Sequence, residues 1–120
     1  MSRPKIKELD KLWADCIKAR AGHKSEYSGK TEKLNAHHIH GKSNYRMRWE
    51  LDNGVSITSG EHFFIAHIQG RSQKFKEWAM KLRKFGEIKA KRLSTQLGGT
   101  DLFGVKLFLQ QELKKYDKAY

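Results

Sequence analysis

The sequence predicts an α+β fold that is mostly helical. Apolar residues recur at helical spacing through both flanks, at Ile6, Leu9, Trp13, Cys16 and Ile17 and again at Phe75, Trp78, Leu82 and Phe85. Between the flanks lie two short segments of strand character, Leu34–Ile39 and Val55–Thr58, the second alternating apolar with polar residues. A chain of 120 residues is one domain's worth, so a single domain over 1–120 is expected.

The first helix is expected over 5–21, with Cys16 on its apolar face and Gly22 at its end. Residues 22–33 are polar and rich in Gly and Ser, and read as loop. After the first strand, Gly41–Asn44 turns the chain, and Tyr45–Glu50 reads as an exposed aromatic and basic connection. Asp52-Asn53-Gly54 is a turn signal. Thr58-Ser59-Gly60-Glu61 has the spacing of a capping box, which puts His62 in the first turn of a helix. Gly70 and Arg71 interrupt that helix. The C-terminal helices fall within 71–118: one marked by Phe75 to Phe85, a basic one over Glu87–Leu97, and a last one after Gly98-Gly99. The last carries Val105, Phe108, Leu109, Leu113 and Tyr116 as its apolar positions. The expected core is Trp13, Ile17, Ile39, Ile57, Phe64, Trp78 and Leu82. Phe63, Phe64, Phe75, Trp78 and Phe85 read as core rather than as base-stacking platforms.

Lys and Arg number 25 against 13 Asp and Glu, a formal charge of +12. That excess favours a polyanionic partner, nucleic acid before an anionic membrane surface. No apolar run approaches the length of a membrane span and no signal peptide is evident, so no membrane partner and a cytoplasmic setting are expected. The single Cys16 excludes an intramolecular disulfide framework and any Cys-rich zinc site within one chain.

Three of the six histidines fall in Leu34-Asn35-Ala36-His37-His38-Ile39-His40. Imidazole nitrogens can hold a divalent metal, and a neutral imidazole can take a proton from water near neutral pH. Adjacent strand residues point to opposite faces, so His37 and His38 are suited to different tasks, one facing a metal and the other an attacking water. A returning strand through Asn53 and a following helix would bring His62 beside His37.

Strand, strand, helix, with His-His, Asn and His in that order, resembles the HNH endonuclease family. The resemblance spans roughly 22–68, through Leu34–Ile39, then Leu51-Asp52-Asn53-Gly54-Val55-Ser56-Ile57, then Glu61-His62. It implies a ββα-metal core, a β-hairpin plus helix, flanked by N-terminal and C-terminal helices. It implies His37 and His62 as metal ligands, His38 as general base, and Asn53 as the hydrogen-bonding brace of the hairpin that helps orient the base. It also implies one divalent ion, with Mg, Mn, Zn and Ni not distinguished, and hydrolysis of DNA, most simply double-stranded, with little sequence preference. The layout is similar to small HNH proteins of bacteriophage genomes, which would place it in a host cell's cytoplasm.

Two departures matter. Many relatives bind a structural zinc through two Cys-x-x-Cys pairs, and here those positions read Ser25, Ser28, Thr58 and Glu61, so no structural zinc is expected. Some relatives place a third ligand four residues after the second, where this chain has Ala66; His67 follows one later. In a regular helix His67 would point about 140° away from His62. A π-bulge would realign it, so His67 stays open as the third ligand. Lys42, Arg46 and Arg48 follow the His strand and are expected to contact phosphate, Arg through its planar fork. The alternative to a nuclease is a non-catalytic nucleic-acid-binding module with the same fold.

Overall fold

The computed structural model describes residues 3–66, 71–96 and 99–119, the last few and Ala66 by backbone alone. Helix α1 (Ile6–Arg20) leads through a loop to strand β1 (Leu34–His38). Short helix α2 (Tyr45–Arg48) and a 3-10 turn (Leu51–Asn53) fill the connection to strand β2 (Gly54–Thr58). Helix α3 (Ser59–Glu61) continues directly into a π turn (His62–Ala66). Helices α4 (Ser72–Arg83), α5 (Glu87–Ser94) and α6 (Leu102–Ala119) follow. Among the described residues the fold is mostly helical with one two-stranded sheet. No described helix is long and apolar enough to cross a membrane.

β1 and β2 pair antiparallel, with Leu34 opposite Thr58, His37 opposite Val55 and His38 opposite Gly54. Two backbone bonds extend the pairing at its ends: Ile39 N–H donates to Asn53 O (2.9 Å) and Ser59 N–H to Lys33 O (2.8 Å). The sheet lies between two apolar clusters. On one side Leu9, Trp13, Cys16 and Ile17 of α1 pack with Trp49 and with Leu102 and Leu109 of α6. On the other side Ile39, Val55 and Ile57 pack with Phe75 and Ala79 of α4. β2 is therefore buried on both faces, Ser56 and Thr58 included, although its alternating sequence suggests one wet face. The loop before β1 covers its outer edge. Glu26 N–H donates to Ser56 O (2.8 Å), Ser56 N–H donates back to the Glu26 carboxylate (2.9 Å), and that carboxylate is ion-paired with Arg83 of α4.

Three expectations need correction. Tyr45–Glu50 is not a wholly exposed connection. Asn44 caps α2 by accepting from Arg46 N–H, and Trp49 is buried in the α1–α6 cluster with its indole N–H on Asp10. Phe64 and Leu82 are not core: they are 55% and 44% exposed, Phe63 is 65% exposed and Phe108 of α6 49%. A π turn spreads residues differently from an α-helix, so spacing could not assign the faces of 62–66. Gly54, read with Asp52 and Asn53 as a turn signal, opens β2 in an extended conformation instead. Its role is close approach, because a Cβ there would lie 2.5 Å from the Trp13 ring and 2.7 Å from Ile17.

Gly54→Ala should thus destabilise the protein by about 1–3 kcal/mol through overpacking. Gly41→Ala, where an added Cβ meets nothing within 4 Å, is the control. Equal urea midpoints for the two variants would contradict the close packing of α1 on β2.

Candidate active site

Strand alternation divides β1 into two working faces. Asn35 and His37 face α4 and the π turn; Ala36 and His38 face α1. The rings of His37 and His62 lie 4.9 Å apart between centroids, nearly perpendicular. His62 Nδ1 is 3.1 Å from Asn35 Oδ1. The amide oxygen only accepts, so this contact puts the proton on Nδ1 and leaves Nε2 with its lone pair, as a metal-binding imidazole needs. Phe75 packs edge-on against His37, at 5.3 Å between centroids.

His38 is held on the other face by two contacts. Its ring stacks parallel on Trp13, 4.0 Å between centroids and 8° between planes. Its Nε2 lies 2.8 Å from Arg48 O, and a carbonyl can only accept, so Nε2 carries the proton and Nδ1 keeps a lone pair. Burial pushes the imidazole below its ordinary value, and the charges of Lys42 and Arg48 push the same way, against the hydrogen bond to Arg48 O and the attraction of Asp10. His38 is accordingly neutral near pH 7, the state a base requires.

Asn53 is fully buried and spans the connection between the strands. Its Oδ1 accepts from His40 N–H (2.8 Å), and its Nδ2 donates to Met47 O (3.0 Å) and more weakly to His40 O (3.4 Å). His40 is itself buried, with Nε2 donating to Phe85 O (3.0 Å). Asn53 therefore holds α2 against the end of β1, and the α2 residue Arg48 presents the carbonyl that orients His38.

His37, His38 and His62 share an open cleft of ≈ 680 Å³ that also takes in Trp13, Lys42, Ser72 and Lys76. Lys42 is exposed on its wall. Arg48 is not aimed into it: its Nε and Nη2 close on the two oxygens of Asp10 at 2.9 and 2.7 Å, and Nη1 donates to Lys42 O. Arg46 lines a separate hollow with Tyr45, Trp49 and Phe108. His67 lies outside the described residues, although the π turn it would need begins at His62. Among the described residues no three His, Cys, Asp or Glu side chains converge as a metal site.

Sequence reasoning assigned no role to Asn35 or Asp10. Asn35 could have been found, since it precedes His37 by two and shares its strand face. Asp10 lies between Ile6 and Trp13 at helical spacing, a polar residue on an otherwise apolar stripe. The hydrogen bond from Arg48 holds its carboxyl below the usual carboxylate range, with Trp49 acting in the same direction.

Ser25, Ser28, Thr58 and Glu61 come together although far apart in sequence. Ser25 Oγ donates to Glu61 Oε1 (2.6 Å) and accepts from the N–H groups of Tyr27 and Ser28 (3.1 Å each). Glu61 Oε1 also accepts from Thr58 N–H (2.9 Å), and Thr58 Oγ1 from Glu61 N–H (3.1 Å), completing the capping box. Burial pushes the Glu61 carboxyl up, but hydrogen bonds from Ser25, Ser28 and Thr58 outweigh it and hold it below its ordinary value. This cluster joins the loop before β1 to the start of the helix that carries His62.

Comparison with family models, curated proteins and solved structures returned no match for this chain.

Two outcomes follow from this geometry. Ser25→Ala removes one of the donors to Glu61 Oε1 and leaves two loop N–H groups without their acceptor, and should cost about 1–3 kcal/mol in a thermal or urea melt, a loss that Ser25→Thr partly restores. Asp10, depressed in the folded state, contributes stability above its unfolded value near 3.8 that is lost as pH falls through the lower folded value. Asp10→Asn should therefore melt lower than wild type at neutral pH, with the difference narrowing in acid; a constant difference across pH would remove the Asp10–Arg48 pair from the account.

Proposed function

We propose that this chain is a divalent-metal-dependent endonuclease of the HNH type, hydrolysing phosphodiester bonds in DNA with little sequence preference. The observation that carries the reading is the division of labour across β1. His37 lies against His62, whose contact with Asn35 gives it a tautomer suited to metal binding; His38, on the opposite face, is oriented by a backbone carbonyl and opens on the same cleft. In this reading β1, β2 and the helix starting at Ser59 form a ββα-metal core.

His37 and His62 would hold the ion, with His67 as a further ligand, and their nitrogens suit a divalent transition metal. When bound, it would supply Lewis-acid stabilisation of charge on the phosphate and on the leaving oxygen. His38 Nδ1 accepts a proton from water as the water oxygen bonds to phosphorus. The bond from phosphorus to the 3′ oxygen breaks, and that oxygen takes a proton from solvent, leaving 5′-phosphate and 3′-hydroxyl ends. Trp13 and Arg48 O prevent the base from turning away, and Asn53 holds the carbonyl in place. Lys42 contacts a backbone phosphate on the cleft wall, while Arg48, its guanidinium held by Asp10, is a positioning residue that acts on His38 through its backbone carbonyl. The charge of +12 supplies non-specific affinity that falls steeply with salt.

Plasmid incubation with a series of divalent ions tests this reading. His38→Ala should slow cleavage by about 10²–10⁴-fold while ion and DNA binding persist. Near wild-type turnover in that variant would overturn the assignment, and binding without turnover under every ion would favour the non-catalytic module. Chelation should abolish cleavage and leave the far-UV circular dichroism unchanged, because the two apolar clusters and the Ser25–Glu61 network hold the fold.

A further inference from the structure

A second hollow, of ≈ 550 Å³, shares Phe75 with the histidine cleft. Its walls are Tyr27, Ile65, Phe75 and Trp78, and its cationic members are Arg71 and Lys74. The three aromatic rings meet at 56°, 84° and 45°, with centroids 5.1–5.7 Å apart, so they wall the space rather than stack to fill it. Tyr27 is 45% exposed, whereas Phe75 is buried at 3% and also lines the histidine cleft. The two cavities thus have one phenyl ring in common.

We propose that this hollow receives an unpaired nucleobase from the strand whose phosphate lies in the histidine cleft, with Arg71 and Lys74 on the neighbouring phosphates. The inference rests on the nuclease reading and narrows its substrate to DNA with unpaired bases. Aromatic walls fit any base face, and among the described residues no acidic side chain lines the hollow to repel a phosphate. A base inside a duplex has both faces stacked on its neighbours, so only an unpaired one can offer a face to Tyr27 or Trp78. Phe75 lines both cavities and lies 5.3 Å from His37 between ring centroids, close enough for one strand with a phosphate beside His37 to occupy both.

The test compares an oligothymidylate with an abasic ladder of equal length, which has the same phosphates and no bases. Binding to the full chain is followed by fluorescence anisotropy at fixed salt. Stacking of a single base predicts at least about fivefold tighter binding of the oligothymidylate. Tyr27→Ala should erase that preference, and Tyr27→Phe should keep it. Equal affinity of the wild-type chain for the two strands overturns the inference, whether or not the Ala variant folds. If plasmid is nevertheless cleaved in a metal-dependent way, the nuclease reading stands without it. Failure to bind either strand, with no cleavage, removes both.

Discussion

The indole of Trp13 is the contact on which the rest of the arrangement depends. Its N–H donates to Glu50 O (2.8 Å), its face carries the His38 ring, and its edge rests on Gly54 with no room for a Cβ. One side chain of α1 thereby fixes the end of β1, the start of β2 and the connection between them. Stacked aromatic pairs contribute about 0.5–1.5 kcal/mol beyond the area they bury. The stack also fixes the orientation of the His38 ring, and burial pushes its imidazole below the ordinary value.

Around that anchor, polar groups act through one another. Asp10 grips Arg48 and Trp49, Arg48 offers its carbonyl to His38, and Asn53 ties α2 to His40 and so to the end of α4. Arg20 and Arg83 converge on the carbonyl of Gly54 from α1 and α4, at 2.8 and 3.1 Å. Burial, and then the charge of Arg20, bring the Arg83 guanidinium down to about 10, and Arg83 is ion-paired with Glu26. The short sheet, only two strands wide, is braced at its edge by these side chains in place of further strands.

The cluster of Ser25, Ser28, Thr58 and Glu61 applies the same solution elsewhere. Hydroxyls are weak metal ligands but adequate hydrogen-bond partners, and here they share one buried carboxylate. A carboxylate that accepts several N–H and O–H donors remains charged at modest burial. The start of the helix bearing His62 is thus positioned by the same residue that caps it.

Much of this was legible in the sequence because it depends on local periodicity. Helix α1, strand β1, strand β2 and the Thr58–Glu61 capping box follow from spacing and cap chemistry, and the separation of His37 from His38 follows from strand alternation. Tertiary structure decided what spacing cannot express. The burial of β2 on both faces came from α1 and α4 arriving from opposite sides. The exposure of Phe63 and Phe64 came from a π turn that breaks the 3.6-residue period. Gly54 was readable as a glycine, but its reason is an indole that precedes it by about forty positions and meets it only in the folded chain. Arg48 shows the limit most clearly. Its charge was visible from the start, yet a carboxylate on another helix holds its fork, leaving its backbone carbonyl as the atom that matters to His38.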